Sequence, residues 1–130
     1  MKSIKFNINI PAVTKKNHSQ IIMVKGRPML IPSKQYRQYE KDCALYLKPL
    51  MIDYPVNIKC VYYMPTRRRV DLVNLLSASM DVLVKHGVIV DDNRNIAYSH
   101  DGSEVLYDKN NPRVEIEITE RKEYEEWKVK

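Results

Sequence analysis

The pattern of apolar and polar residues predicts a chain built mainly from short strands. Residues 4–10 and 114–118 alternate apolar and polar side chains strictly, which is the period of a strand with one buried face. Residues 56–64 are apolar enough for a central strand, and glycine-containing turns at residues 25–28 and 101–102 predict hairpins. The predicted strands are residues 4–10, 21–24, 29–32, 56–64, 96–99, 104–107 and 114–118.

Two helices are predicted between these strands. Ser33 is a good N-cap for a helix whose apolar residues continue at helical spacing to Leu50. A second helix is expected to begin at Asp71 and to end with basic residues in its last turn and Gly87 just beyond. Grouped strands with two helices predict an α+β fold, a two-layer sandwich of a mixed sheet and two main helices.

The length of the chain limits its organisation. A chain of 130 residues can build one hydrophobic core and is too short for two ordinary domains. We therefore expect a single domain over residues 1–130. Its charged C-terminal tail, residues 120–130, is expected to form a frayed helix.

Charge changes this picture, because it is unevenly distributed. Residues 1–70 contain 14 Lys and Arg against 3 Asp and Glu, whereas residues 71–130 contain 8 against 13. A basic half can meet phosphates, and an acidic half can supply ligands for a metal ion.

Other features of the sequence concern membrane association and the cellular compartment. No apolar run is long enough to cross a bilayer, and the N-terminus lacks the apolar segment of a signal peptide. Cys43 and Cys60 lie apart without metal-binding spacing, which favours two reduced core thiols in a cytoplasmic protein. We expect no membrane association and no organic cofactor.

Two short segments, residues 67–74 and 91–93, are the candidates for chemistry. Asp71 and Asn74 are three residues apart and therefore share one edge of the helix start. Asp92 follows the helix after a short link, which is expected to bring it alongside Asp71. Carboxylate and amide oxygens hold hard cations, which polarise phosphates and generate hydroxide near neutral pH. The preceding arginines would bind the phosphates that flank the scissile bond; they are Arg67, Arg68 and Arg69.

Each of these residues also has an ordinary structural interpretation. Asp71 is a common type of helix N-cap, and Asn74 stands where a capping partner could stand. Residues 91–93 are good turn formers, and three arginines commonly form a solvated surface. From the residues alone, a metal-dependent nuclease and a basic nucleic-acid-binding module without catalysis both remain open.

The same segments resemble the RusA family of Holliday-junction resolvases. The runs MPTRRRVDLVNL at residues 64–75 and DVLVKHGVIVDDNRNI at residues 81–96 are similar to the core signature of that family. This signature has basic residues, an Asp-Leu-x-Asn-Leu helix start, a Lys-x-Gly turn and an Asp-Asp pair. Pro11 with Lys16-Asn17 resembles the entry loop of the family, and residues 112–116 resemble its last strand.

The resemblance implies an α+β homodimer that makes paired nicks across a four-way DNA junction, with Mg²⁺ or Mn²⁺ bound by aspartates. Asp71 matches the first catalytic aspartate and Asp92 the last. Asn74 matches the asparagine of the motif, and Asp91 matches the neighbour of the last aspartate.

Two positions depart from the best-known members of the family. Those members have a second aspartate where this chain has Val73, and a catalytic lysine where it has Ser77. A branch found in phages and prophages also lacks the second aspartate and carries a Ser-x-Asp-Gly-Ser segment, which resembles residues 99–103. Asp101 is therefore a candidate replacement for the missing metal ligand.

The resulting hypothesis is a Mg²⁺-dependent, structure-selective endodeoxyribonuclease of DNA recombination and repair. It would act in the bacterial cytoplasm, and host, phage or prophage origin stays open. Two alternatives remain: a DNA-junction-binding protein of the same fold with weakened catalysis, and a nuclease for flaps or other branched DNA. The expected catalytic residues are Asp71, Asp92, Asn74 and Asp91; the metal ligands Asp71, Asp92 and Asp101; and the DNA contacts Lys15, Lys16, Asn17, Arg67, Arg68 and Arg69.

Overall fold

A computed structural model describes residues 3–15 and 19–122 of the chain, and of residues 19 and 20 it describes the backbone alone. Among these residues it contains seven strands and two α-helices. The strands are β1 (Ile4–Ile8), β2 (Ser19–Val24), β3 (Arg27–Pro32), β4 (Val56–Met64), β5 (Ala97–Ser99), β6 (Glu104–Tyr107) and β7 (Arg113–Glu120), and the helices are α1 (Lys34–Asp42) and α2 (Leu72–Lys85).

The main sheet is mixed and has β4 and β7 at its centre. Its order is β1-β7-β4, with both neighbouring pairs antiparallel. The short strands β5 and β6 both run parallel to β4 along its other edge. Strands β2 and β3 form a separate antiparallel pair. This arrangement confirms the predicted α+β fold with a mixed sheet.

One face of the sheet packs against the helices, and the alternation of apolar and polar residues along the strands determines which face this is. In β7, Val114, Ile116 and Ile118 are buried, and the intervening residues are only partly buried. The Tyr62 hydroxyl on β4 bonds the Ser79 hydroxyl on α2 at 2.7 Å. Because apolar side chains alternate with polar ones along each strand, only one face joins the core. The two layers are therefore the sheet and the helices.

The first helix is shorter than its apolar pattern predicts. Its N-cap is Ser33, as predicted, and the Ser33 hydroxyl accepts a hydrogen bond from the Tyr36 amide at 3.1 Å. The helix ends at Asp42, and a 3-10 turn over Cys43–Tyr46 follows. The prediction of a helix to Leu50 was wrong: the backbone is already extended at Leu47, with φ of −120° and ψ of 159°, and Pro49 disfavours a return to helix at Lys48, the residue before it.

The turn at Asp101-Gly102 does not form the predicted hairpin. Ser103 donates its amide to the His100 carbonyl at 3.1 Å, so a tight turn is present, with φ of +87° at Gly102. However, β5 and β6 pair with β4 rather than with each other. The turn is thus a bulge between two segments of one interrupted edge strand.

The buried core includes both cysteines, which are free thiols. This confirms the prediction of core cysteines. No helix of the described ranges is long and apolar enough to cross a membrane. The predicted helix in the tail lies outside the described residues from position 123 onwards.

Candidate functional site

Asp71 lies at the start of α2, and its carboxylate does not cap the helix. Its backbone occupies the N-cap position, but its side chain makes no capping hydrogen bond. Instead, Asn74 donates its amide nitrogen to Asp71 Oδ2 at 3.3 Å, which confirms that the two side chains share one edge of the helix. No other hydrogen bond to this carboxylate is present within residues 3–15 and 19–122. Asp71 therefore presents an exposed carboxylate oxygen to solvent.

The two departures from the family pattern lie on the same exposed part of α2. Val73 has 74% of its surface exposed, which is unusual for a valine on a helix that packs against a sheet. Ser77, one turn further, is also exposed. An aspartate at position 73 or a lysine at position 77 would thus reach solvent, so both departures alter the exposed surface of α2 and leave the core unchanged.

Asp91 and Asp92 have different surroundings although they are neighbours. Both oxygens of Asp91 are used within its own loop, one by the Asp92 amide at 2.7 Å and the other by the Asn93 side chain at 3.2 Å. The Asp92 carboxylate is exposed, and the described part of the chain offers it no hydrogen-bond donor. Asp91 therefore shapes the loop, and Asp92 is the carboxylate available to a ligand.

Asp71 and Asp92 do not lie alongside each other within one chain. Helix α2 has 14 residues and is therefore about 21 Å long. Asp71 precedes its first residue, whereas the loop with Asp92 follows its far end. There the Met51 amide bonds the Gly87 carbonyl at 2.8 Å, and the Val90 amide bonds the Ile52 carbonyl at 3.0 Å.

The link between α2 and Asp92 explains this separation. Residues 88–90 run beside residues 51–52, with a parallel bridge between Ile52 and Ile89. They therefore stay at the end where α2 finishes, and the expected return towards Asp71 was wrong. Correspondingly, no group of three His, Cys, Asp or Glu side chains that could hold a metal ion exists among the described residues.

Asp101 also lies far from the start of α2. Its carboxylate pairs with Arg121 at 3.2 Å, and the Asn57 side chain bonds both its backbone amide and its carbonyl. Asn57 is seven residues before Met64 on β4, a distance of about 23 Å along an extended strand. Since α2 begins just after the Met64 end, Asp101 does not replace a ligand at Val73 within the same chain.

The segment around Asp101 has a structural role that the sequence did not reveal. At the bulge, His100 Nδ1 lies 2.9 Å from the Ile58 carbonyl oxygen, and the Ser103 hydroxyl accepts the Cys60 amide at 3.0 Å. These side chains supply the hydrogen bonds that the edge of β4 would lose where β5 and β6 are interrupted. The polar composition of residues 99–103 is the only trace of this role in the sequence.

The three arginines lie on the loop between β4 and α2, at the Asp71 end of the helix, and all are exposed. The Arg67 guanidinium stacks on the Tyr107 ring at 4.5 Å. Arg68 and Arg69 border a depression that Thr14 and Gln35 also line. An exposed cationic loop therefore leads directly into the start of α2, where the exposed carboxylate of Asp71 lies.

The N-terminal basic residues are described only in part. Lys15 is engaged by Asp81 of α2 at 2.6 Å and lies 5.8 Å from the centre of the Tyr36 ring. A phosphate would have to compete with this ion pair. Lys16 and Asn17 lie outside the described residues.

A second ordered cluster at the same end was missed by sequence reasoning. Arg113 stacks on Tyr63 at 3.7 Å and pairs with Asp108 at 3.0 Å and Glu115 at 2.8 Å. Hydrogen bonding from Arg113 is the main reason that the pKa of Asp108 is lowered. Because the Asp108 amide also bonds the Met64 carbonyl at 2.9 Å, this cluster fixes the β6–β7 connection next to the arginine loop.

The cysteines take no part in this surface. Burial raises the pKa of the Cys43 and Cys60 thiols to about 12. A thiol that keeps its proton is a poor nucleophile and a poor metal ligand. The two cysteines are therefore residues of the core and not of the candidate site.

The sequence of the chain is similar to those of known proteins. A family model described as endodeoxyribonuclease RusA matches residues 9–119. The crossover junction endodeoxyribonuclease rusA of Enterobacteria phage 82 is 39% identical over 70 residues, which are 51% of this chain and 58% of that protein. The proteins of the same name from Escherichia coli K12 and Shigella sonnei are 37% and 36% identical over the same shares.

The chain thus spans somewhat over half the length of the curated relatives it matches. The family match is longer and extends from the end of the first strand to the last strand. It includes the arginine loop, Asp71, Asn74, Asp91, Asp92 and the segment around Asp101. Because this match covers most of its length, the chain belongs to the endodeoxyribonuclease RusA family.

Proposed function

We propose that the chain is a Mg²⁺-dependent endodeoxyribonuclease that resolves four-way DNA junctions in recombination and repair, with Mn²⁺ as an alternative ion. The observation that carries this proposal is the exposed Asp71 carboxylate, which does not cap α2 and which follows a loop of three exposed arginines. Family membership supports the nuclease class. The free buried thiols fit a reducing compartment such as the bacterial cytoplasm.

The donor set fits a hard cation, although one chain supplies only part of it. Asp71, Asn74 and Asp92 offer carboxylate and amide oxygens, which Mg²⁺ prefers. The ion would polarise the scissile phosphate and lower the pKa of a bound water. Arg68 and Arg69 would bind the neighbouring phosphates and hold the strand in place.

The separation of Asp71 and Asp92 leads to a proposal about assembly. A two-fold dimer with antiparallel α2 helices places the start of one helix beside the end of the other. Asp71 of one protomer would then share a site with Asp92 of the partner subunit, and the dimer would hold two sites. Two sites related by a two-fold axis match the symmetry of a four-way junction, in which two strands must be nicked.

The first experiment is cleavage of a synthetic four-way junction in Mg²⁺ and in EDTA, with duplex and flap DNA as controls. Paired nicks in the junction that require Mg²⁺ are expected. Asp71→Asn and Asp92→Asn should each reduce cleavage by orders of magnitude and leave junction binding nearly intact, because basic side chains supply most of the affinity. Asp53→Asn, which removes another exposed carboxylate, is the matched control. Cleavage at the parental rate by either site variant would refute the metal-site assignment.

A mixing experiment tests whether the site is shared between subunits. In a heterodimer of Asp71→Asn and Asp92→Asn subunits, one site would carry both substitutions and the other would carry neither. After random exchange, about a quarter of all sites would be intact, and these would make single, unpaired nicks. A site contained within one chain predicts no recovery. Light scattering should give twice the 15.3 kDa chain mass, and a monomer both free and on a junction would contradict the dimer.

A second candidate is a junction-binding protein with weakened catalysis. The exposed valine at position 73 favours it, because that surface lacks a carboxylate that the best-known family members have. Tight junction binding without nicks in Mg²⁺ or Mn²⁺ would support this candidate against the nuclease. Cleavage of flaps in preference to junctions would instead indicate a different branched substrate.

A further inference from the structure

The hairpin of β2 and β3 stands apart from the rest of the molecule. Its six cross-strand pairs form a separate two-stranded sheet, and none of the side chains described for it, those of residues 21–32, belongs to the buried core cluster or packs against it. Lys25 and Gly26 at its tip have φ of +50° and +77°. Two consecutive positive φ values make a two-residue turn whose twist matches that of the strands. The hairpin is therefore a regular arm with a tight tip.

One face of this arm is apolar and open to solvent. Ile21 is paired with Leu30, and Met23 is paired with Pro28, so these four residues share a face. Ile21, Met23 and Leu30 are 71%, 66% and 69% exposed. A lone two-stranded hairpin is marginally stable in water, and a contiguous exposed apolar patch is typical of an interaction surface. The face is suited to a partner that offers an apolar surface.

The charge of the arm identifies that partner. Lys25 and Arg27 flank the glycine of the tip, and residues 1–39 contain eight Lys and Arg and no Asp or Glu. Two copies of the arm would repel each other if they met face to face. A polyanion with apolar surfaces between its charges is the complementary partner, and DNA with accessible base faces has this chemistry.

The position of the arm relative to the candidate site points to the same partner. Strand β3 ends at Pro32, three residues before Gln35, and Gln35 lines the depression bordered by Arg68 and Arg69. The base of the arm is therefore close to the arginine loop and to the Asp71 end of α2. DNA held by that loop would lie within reach of the hairpin.

We propose that the hairpin of residues 19–32 is a wedge that binds the branch point of junction DNA. Lys25 and Arg27 contact phosphates, and Ile21, Met23 and Leu30 pack against base faces that are unstacked at the branch. In an intact duplex the same insertion must first break base stacking, so the arm favours branched DNA over duplex. The proposal rests on the proposed function, since it assumes that branched DNA is the substrate.

The test uses the double variant Ile21→Thr/Leu30→Thr. Threonine is β-branched, a shape that strands favour, and it removes most of the apolar surface at both positions. Both residues are exposed, so the body of the protein should fold normally, with an unchanged melting temperature as the check. Leu45→Thr, at a residue 83% exposed outside the hairpin, is the matched control.

Binding is measured in EDTA to a four-way junction with 2-aminopurine at the branch point, and to a duplex of the same sequence. The unchanged protein should raise the fluorescence of the branch-point base, because this base loses its stacking partner. The double variant should lose this rise and bind the junction roughly tenfold more weakly, while its duplex affinity changes less than about twofold. Lys25→Ala/Arg27→Ala should weaken binding to both DNAs.

Two results would overturn the proposal. One is a double variant that keeps parental junction affinity and the parental fluorescence change. The other is a double variant that falls from dimer to monomer in light scattering, which would assign the apolar face to a second copy of the chain. Because the binding assay needs no cleavage, failure of the wedge is distinguishable from failure of the nuclease, which the Mg²⁺ experiment alone decides.

Discussion

Replacing Ser79 with alanine tests how α2 is held against the central strand. The Ser79 hydroxyl lies 2.7 Å from the Tyr62 hydroxyl, and the two residues are 5% and 0% exposed. Burial raises the pKa of the Tyr62 phenol far above its usual range. The phenol therefore stays protonated and needs a partner inside the core. This contact holds α2, and so helps to position the Asp71 at its start.

The size of the effect follows from the two partners. Ser79→Ala removes the hydroxyl partner of Tyr62 and leaves the weaker hydrogen bond with the Cys60 thiol. This should cost about 1–2 kcal/mol of unfolding free energy. For a chain of this size the melting temperature should fall by about 3–8 °C. Tyr62→Phe should cost less, about 0.5–1 kcal/mol, because the remaining serine hydroxyl can donate to a carbonyl of its own helix.

Urea unfolding of both single variants and of the double variant measures the coupling. The double variant should be nearly as stable as Tyr62→Phe alone, which corresponds to a coupling energy of about 1–2 kcal/mol, the whole cost of Ser79→Ala. Junction binding per folded molecule should not change. Additive losses, with no coupling between the two positions, would refute the claim that this hydrogen bond joins the helix to the sheet.

The arginine loop, Asp101 and the buried thiols each carry a further prediction. Replacing the arginines at residues 67–69 with alanine should weaken binding to every DNA sequence. The slope of log binding constant against log salt concentration should fall by about one unit for each phosphate that is no longer bound. An unchanged slope in salt titrations would show that these arginines are a solvated surface. Asp101→Asn should leave cleavage nearly normal and lower the unfolding free energy by at most about 1 kcal/mol, because the ion pair of Asp101 with Arg121 is exposed. If single-turnover cleavage were as weak as that of Asp92→Asn, Asp101 would again be a candidate metal ligand. Since burial raises the pKa of Cys43 and Cys60 to about 12 from an ordinary 9.0, the folded state keeps protons that the unfolded state releases. Stability should therefore fall as pH rises from about 9 towards 12. Urea unfolding at several pH values checks this, and loss of stability only on acidification would contradict it.

The local parts of the candidate site could be predicted from the sequence. Asp71 and Asn74 are three residues apart on a helix, and the helical repeat alone brings their side chains together. The capping of α1 by Ser33 is equally local. Interactions within one helical turn depend on spacing and residue type, so they can be predicted from the sequence without knowledge of the fold.

The role of residues 99–103 could not be predicted in this way. Asp101-Gly102 has the composition of a hairpin turn, and the local conformation is indeed a tight turn. Whether such a turn reverses the chain depends on which neighbour its flanking strands find. Here His100 and Ser103 bond the backbone of β4, so both strands stay on that edge.

By itself, the sequence determined which segments form strands and helices, although not where α1 ends, and it determined the identity of the exposed carboxylates and arginines. These features depend on periodicity and on interactions within a few residues. Only the tertiary structure decided the distance between Asp71 and Asp92, because that distance depends on where the chain goes after α2. The pairing of Ile89 with Ile52 holds the Asp92 loop at the far end of the helix. Contacts between residues distant in the chain set this geometry, and no local pattern encodes them.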